Sequence, residues 1–502
     1  SDLGLGQPME HVLRSWVIAA RLSDHMGLDE SDRAALYYVT LLAWVGCVAE
    51  TPELARWFGD DIAFRADGRE VDLAGLPMLG FMLRHVGAGA PALQRIRLGA
   101  TLVVTGGRGV EETLLSHCIS TGQMATRLGL GPEVSRPLQQ VFTRWDGKGV
   151  PRGVGGEEIA EPVRLLHLAD IVEVFHRTDG VDAAIEVARA RRGKQFDPSI
   201  VDAFCAAAPE VLIDADETLD WEALIEVERS LQSSLDETEL DAALEAVGDF
   251  TDLRSPFFAG HSRGVAELAA AAARSVGLPD SDIVATRRAG WLHDLGSHGL
   301  PASILDKPGP LTATEYERVR LHTYYAERML ARPPALARLG AIAAAHHERL
   351  DGSGYHRGAA GASLPSPARL LAAADVYHAM TEPRPHRPAL RPKEAVAELR
   401  AEVHAGRLDH QAVDAVLAAA GQRVGKRRAG PGGLTPREVE VLTLIARGAS
   451  NRQVARALDI TPATAGTHIE RIYTKIGASN RSTATLFALQ HGLLDTLEPI
   501  DV

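Results

Sequence analysis

One stretch of the chain concentrates the side chains that can hold a metal: His261, His293-Asp294, His322, His346-His347 and Asp375. Imidazole together with carboxylate suits iron, manganese, zinc or nickel, whereas calcium and magnesium sites are built from oxygen. Seven ligands exceed what one ion takes. A carboxylate bridging two ions, with further ligands for each, accounts for the number and leaves open positions for water and a phosphoryl oxygen. Two ions about 3.5–4 Å apart activate water and neutralise the charge of an in-line displacement, so phosphoester hydrolysis is the chemistry this set predicts.

The segments that must position these residues are predicted to be helices. Apolar residues recur at three-to-four spacing, as in Val265, Leu268, Ala269, Ala272 and Val276, and no stretch alternates at period two. An internal repeat organises them. GHSRGVAELAAAAARSVGL at 260–278 matches MEHVLRSWVIAARLSDHMGL at 9–28, placing His261 over His11 at an offset of 250. At the same offset His293-Asp294 falls on Ala43-Trp44. RLDGSGYHRG at 349–358 matches RWDGKGVPRG at 144–153, and RLLAAADVYHAM at 369–380 matches RLLHLADIVEVF at 164–175, both at 205. His322 then falls on His117, His346-His347 on Val141-Phe142, and Asp375 on Asp170. The first copy keeps three polar positions but no bridging carboxylate. A dinuclear centre is expected only in the second, and the survivors of the first read as ordinary polar residues of a degenerate domain.

Composition sets the outer bounds. With 502 residues, 45% hydrophobic and 24% charged, the chain has room for about three domains. Cys47, Cys118 and Cys205 stand apart, which argues against a disulfide framework, a zinc finger or a redox pair. No basic cluster followed by an apolar run opens the chain, and the alanine stretch at 268–273 is too short to span a bilayer. A cytoplasmic protein without membrane insertion is expected. The net charge of −13 is unevenly spread. Acidic residues crowd 211–249, among them Asp214, Asp216, Glu217, Glu237 and Glu239, with Trp221, Leu224, Leu231, Leu235, Leu240 and Leu244 interleaved as in an amphipathic connector or dimerising helix. Basic residues dominate the end of the chain, which follows a glycine-rich linker at 423–433.

The second copy resembles the HD-GYP family of phosphodiesterases, a branch of the HD superfamily of helical metal-dependent phosphohydrolases. ILDKPGPLTATEYERVRLHTYYAERML is similar to the family's KPGxLTxxE run, HHERLDGSGYHRG stands where the family has HHExxDGxGYPxG, and AADVYHAMTEPRPHR stands where it has ADxxDA and RPYR. The resemblance implies one metal on His261, His293, Asp294 and Asp375, and a second on Asp294, His322, His346 and His347. Asp294 and His293 would carry catalysis. Where the family has lysine after HDxG the chain has Ser297, and where it has the proline of GYP the chain has His356. Phe257 stands where some members carry a glutamate for a third metal, His378 where the family has aspartate after ADxx, and His386 where it has the tyrosine of RPYR.

From Leu434 onward the helix punctuation is legible. Thr435-Pro436-Arg437-Glu438 supplies a cap, a proline at N1 and a glutamate at N3, and Gly448 closes the helix. Ser450 caps the next, Asp459-Ile460 makes a turn, and Thr461-Pro462 opens a third that ends at Gly477. Two short helices about a tight turn, the second carrying Thr464, Thr467, His468, Arg471 and Lys475, are what a helix-turn-helix needs to enter a major groove. LTPREVEVLTLIARGASNRQVARALDITPATAGTHIERIYTKIGASNRSTA resembles the LuxR-type DNA-binding domain, which implies DNA contacts from Thr464, His468 and Lys475. Gly466 stands where a basic residue is common.

The expected architecture is all-α: a degenerate HD-type domain at 1–210, an acidic connector at 211–249, a metal-binding HD-type domain at 250–422, the linker, and a four-helix LuxR-type domain at 434–495. The expected function is a one-component transcription regulator, acting as a homodimer on double-stranded DNA. It senses or hydrolyses a phosphorylated small molecule, a cyclic nucleotide or dinucleotide, with two divalent transition metals per chain, iron or manganese ahead of zinc or nickel. Ser297 in place of lysine keeps a non-hydrolytic receptor as an alternative. A di-iron oxygenase is a third, against which the HHExxDGxGY context argues.

Overall fold

The computed structural model describes residues 2–105, 108–213, 234–422, 431–478, 480–491 and 493. Among them the regular elements are helices, with no strand beyond two isolated bridges. The chain divides into two compact units, Ser1–Gln422 and Arg423–Val502. Trp221, Leu224 and Leu231 of the acidic connector, and Lys426, Arg427 and Arg428 of the linker, lie outside the described residues.

Both repeats lie in the first unit. Helices His11–Met26 and Glu30–Leu42 stand 250 residues ahead of His261–Ser275 and Asp280–Leu292. The helix Glu161–Ala190, broken at Gly180, begins 205 residues ahead of Ser366–Thr381. The change of offset is an insertion. Four helices, Cys47–Phe58, Asp61–Gly68, Gly75–His85 and Ala92–Val104, stand in the first repeat where the second has a short 3-10 turn, Leu295–Gly299, and Ala302–Leu305.

Small residues let the helices of the second repeat close on one another. Ala266, Ala269, Ala272 and Ala273 are buried on the inner face of His261–Ser275. Gly290 crosses it so closely that a Cβ there would lie 2.6 Å from Ala266 Cα. Each repeat also ties the helix that carries its aspartate to the N-cap of its closing helix by one ion pair: Arg164 to Asp197, before Pro198–Val211, at 2.5 Å, and Arg369 to Asp409, before His410–Ala419, at 3.0 Å. The described part of the acidic connector, Glu237–Asp252, is capped by Asp236 and Glu239 and runs past residue 249. Its Ala246 and Phe250 pack with Val48 and Met124 of the first repeat, while Asp252 accepts hydrogen bonds from Ser262 of the second. The segment Ser31–Phe58 is apolar enough to cross a membrane by composition. It is interrupted between Leu42 and Cys47, and Leu36, Val39, Val48, Leu54 and Phe58 are buried in the protein core.

The second unit holds Pro436–Ala446, Asn451–Leu458, Pro462–Ile476 and Arg481–Gln490 around Leu434, Val441, Leu442, Ile445, Val454, Ala465 and Ile472. Thr435 with Glu438, and Ser450 with Gln453, form capping boxes, and Gly477 ends the third helix in the left-handed conformation.

Candidate metal centre and nucleic-acid interface

Five helices of the second repeat bring the seven metal-binding candidates to one place. His261 opens its helix, His322 lies inside Ala313–Leu330, and Asp375 inside Ser366–Thr381. The sequence pattern predicts all seven within helices; His293, Asp294, His346 and His347 instead lie just past the ends of Asp280–Leu292 and Pro334–Ala343. The reason is geometric. Successive residues within a helix diverge by about 100°, whereas a turn lets two neighbours face the same centre.

Asp294 divides its oxygens. Oδ2 faces His293 Nε2 at 3.6 Å and His261 Nε2 at 4.0 Å, while Oδ1 faces His322 Nε2 at 3.6 Å and His346 Nε2 at 3.7 Å. Asp375 Oδ1 stands 3.3 Å from His261 Nε2 and 3.9 Å from His293 Nε2. His347 groups with His322 and His346. Two donor sets thus flank one carboxylate.

Backbone carbonyls fix the tautomers. Nδ1 of His293 donates to Gly290 O at 2.7 Å, that of His322 to Val319 O at 2.5 Å, and that of His346 to Ala343 O at 2.6 Å. A carbonyl can only accept, so each neutral ring turns an unprotonated Nε2 inward. His322 and His346 then oppose two lone pairs at 3.2 Å. His293 Nε2 is buried with no hydrogen-bond partner. A cation among these atoms satisfies all three, so the donor set fits a metal.

The electrostatics agree. Burial and the neighbouring imidazoles hold His346 and His347 well below 6.5, and burial holds His322 below it, keeping the rings neutral. Burial opposes ionisation of Asp294, but His293, His322 and His346 outweigh it and hold the carboxyl at about 2. His261 is the exception. Burial lowers it, and the hydrogen bonds to Asp375 and Glu382 raise it to about 10. The paired carboxylates demand positive charge, which His261 or a metal supplies.

A supporting ring went unnoticed in the sequence. Glu382 Oε2 receives His261 Nδ1 at 2.9 Å and Arg384 Nη2 at 3.2 Å, and Glu382 Oε1 lies 3.2 Å from His378 Nδ1. Arg384 also donates to Phe257 O and lies over the Phe258 ring. The sequence offers only the four-residue spacing of His378 and Glu382, and the helix itself ends at Thr381, with Glu382 its extended cap.

The first repeat uses the same frame differently. His11 Nε2 meets Asp170 Oδ1 at 3.1 Å and its Nδ1 meets Glu173 at 2.5 Å. Asp170 also receives Trp44 Nε1 at 2.9 Å and pairs with Arg69 Nε at 3.2 Å. Trp44, at the position of Asp294, thus lies against Arg69 from the insertion. Cys47, Glu50 and His117 also cluster, but Arg65 Nε already donates to Glu50 at 2.9 Å and His117 Nε2 meets Ala43 O at 2.7 Å. The fit to a metal is therefore poor there.

In the C-terminal unit Thr464, Thr467, Arg471 and Lys475 are exposed along one face of Pro462–Ile476, with His468 half-buried between them. Ala465 and Ile472 hold the opposite face in the core. Lys475 Nζ is tied to Glu438 Oε2 at 2.6 Å, which fastens this helix to the first of the unit.

Comparison with known proteins identifies both parts. Residues 245–412 match the HD domain family, and residues 433–488 match the luxR family of bacterial regulatory proteins. The chain joins an HD domain to a luxR-family domain. Over 412 residues, 80% of this chain and 88% of the relative, it is 28% identical to 3'3'-cGAMP-specific phosphodiesterase 3 of Vibrio cholerae. The HD domain is 38% identical over 162 residues to a cyclic di-GMP phosphodiesterase of Pseudomonas aeruginosa, covering 32% of this chain and 39% of that one. The crystal structure of a cyclic GMP-AMP-specific phosphodiesterase from V. cholerae superposes with a TM-score of 0.57 at 25% identity, covering 84% of this chain and 96% of that one. Both the broad sequence match and this structure exceed the length of one repeat.

Proposed function

We propose that the HD domain hydrolyses a cyclic dinucleotide at a two-metal centre and that the chain regulates transcription through its luxR-family domain. The observation that carries the first part is Asp294, whose two oxygens face separate histidine pairs. His261, His293, Asp294 and Asp375 would hold one divalent ion, and Asp294, His322, His346 and His347 the second. Such ions, iron or manganese ahead of zinc or nickel, supply Lewis acidity toward a phosphoryl oxygen and lower the pKa of water.

The chain's own residues prepare that chemistry. Carbonyls of Gly290, Val319 and Ala343 orient the imidazoles so that no proton competes for Nε2. Glu382, braced by Arg384, orients His261 and accepts from its Nδ1. Ser297, where the family has lysine, is buried and brings no positive charge. Charge neutralisation of the substrate phosphate then falls on the ions. The named relatives act on 3'3'-cGAMP and cyclic di-GMP, so a 3',3'-linked cyclic dinucleotide is the substrate class. Ser297 also favours a second reading, a receptor that binds such a ligand without cleaving it.

The exposed face of Thr464, Thr467, Arg471 and Lys475, with His468, is suited to double-stranded DNA, and a luxR-family module would act as part of a homodimer in the cytoplasm. The deciding experiment is metal analysis of the full chain followed by product assay across cyclic mono- and dinucleotides. About two ions and a linear dinucleotide product support the enzyme; binding without product selects the receptor. A salt-dependent operator affinity whose slope falls by about one on Lys475→Gln supports DNA contact, and an unchanged slope removes Lys475 from it.

A further inference from the structure

The first repeat lacks the aspartate and the histidine pair of the second, and a cavity lies at those positions. Trp44, Val141, Phe142 and Asp170, which stand at the positions of Asp294, His346, His347 and Asp375, form one wall. The insertion forms the other with Leu54, Phe64, Val71, Met78, Phe81 and Met82. A concave apolar wall with a few charged groups is the usual construction of a small-molecule site.

The charged groups divide into satisfied and unsatisfied ones. Arg65 is taken by Glu50 and Asp61, and Arg69 by Asp170. Arg144 is taken by Asp72 at 2.7 Å and Asp146 at 3.2 Å. Arg191 differs. It lines the same cavity and is 5% exposed. Its hydrogen bonds go to neutral groups: Gln195 Oε1 at 3.1 Å, Glu70 O at 3.0 Å and Arg69 O at 3.4 Å. Among the described residues no carboxylate pairs with it. Burial pushes its guanidinium down to about 10, with Asp72 raising it and Arg144 lowering it further. A buried cation with only neutral partners is costly unless an anion arrives to pair with it.

We propose that the first repeat binds a small apolar molecule with one carboxylate or phosphate-type end, its body against the insertion and its anionic end on Arg191. This site does not depend on what the second repeat hydrolyses.

Decanoate, decanol and decyltrimethylammonium serve as probes on the full chain by titration calorimetry and thermal shift. Decanoate is expected to bind saturably and to raise Tm, with decanol at least about tenfold weaker and the cation without effect. Arg191→Gln should remove the preference for decanoate over decanol, Arg191→Lys should retain it, and Val71→Trp, which fills the cavity, should weaken both. If Arg191→Gln does not fold, the probe preference of the wild type and the weakened binding of both probes in Val71→Trp carry the test. Equal binding of decanoate and decanol, absence of saturable binding, or decanoate binding indifferent to Val71→Trp overturns the proposal.

Discussion

Asp375 and Asp170 occupy matching positions on matching helices, yet they are satisfied by different means. Asp375 faces the inward Nε2 atoms of His261 and His293, a donor set that calls for a metal. Asp170 faces His11, the Trp44 indole and the Arg69 guanidinium. A buried carboxylate needs positive charge wherever it lies. The first repeat lacks the histidine pair and the matching aspartate of the second, and an arginine from the insertion supplies the positive charge there. The two frames share their packing all the same. Gly46 and Gly296 both press against the carbonyl of the following histidine, His117 or His322, with no room for a side chain.

The largest expected effect separates the repeats by activity. Asp294→Asn should lower cyclic dinucleotide hydrolysis by about 1,000-fold or more, equivalent to about 4 kcal/mol of barrier, and should release metal. Asp170→Asn should leave metal content and hydrolysis unchanged. Elemental analysis and product assay of the two variants check this. Metal lost on Asp170→Asn with none lost on Asp294→Asn would falsify the assignment of the centre to the second repeat.

Next comes the replacement cation. Arg69→Met leaves Asp170 buried without its guanidinium and should cost about 3–5 kcal/mol of stability. Adding Asp170→Asn should recover part of that loss, because the charge needing a partner is gone. Denaturant unfolding of the single and double variants measures the difference. A loss of the same size in both would mean that Arg69 acts through packing on Trp44 alone.

These residues also mark where the sequence was legible. The repeat and the helical class could be read because apolar residues recur with helix periodicity in both copies, and the seven donors because only a few residue types can hold a metal. Arg69 could not. It lies in an insertion with no counterpart in the other repeat, and an arginine there reads as one more surface charge. Glu382 and Arg384 were missed for a related reason: they act on His261 through its outer nitrogen, and no residue type is obligatory for that task. The contrast between Arg144, bonded to two carboxylates, and Arg191, bonded to none, exists only in three dimensions.

A smaller effect tests the shared frame. Gly296→Ala would place a Cβ 1.8 Å from His322 O, and Gly46→Ala one 2.3 Å from Thr121 Oγ1 and 2.4 Å from His117 O. Each should destabilise by about 1–3 kcal/mol. Only Gly296→Ala should also reduce hydrolysis, since the adjacent turn carries Asp294. Equal activity loss in both variants would show that the repeats are mechanically coupled rather than independent in function.

The smallest effect is the sign of the pH dependence. In the first repeat burial alone would lower His117, but Glu50, aided by Cys47, raises it to about 10 from 6.5. A histidine raised in the folded state contributes its full stabilisation below 6.5 and loses it as pH rises toward 10, because the unfolded chain gives up the proton first. The slope in that window is at most about 1.4 kcal/mol per pH unit. In the second repeat His322, His346 and His347 are lowered, so stability is lost as pH falls below 6.5, where the unfolded chain binds protons that the folded one refuses. Protons also compete with metal for those nitrogens. Stability of the full chain should therefore fall on both sides of neutrality, with His261 of the second repeat adding to the alkaline limb and His167 of the first, lowered by burial to about 4, adding to the acid one. His117→Gln should flatten part of the alkaline limb between pH 7 and 9, to which His261 also contributes, and leave the acid limb in place, and added metal should stabilise least at the acid end, where protons compete for its nitrogens. Chemical denaturation across this range, with and without metal, reads both limbs. An alkaline limb unchanged in His117→Gln would remove the His117–Glu50 pair as its cause.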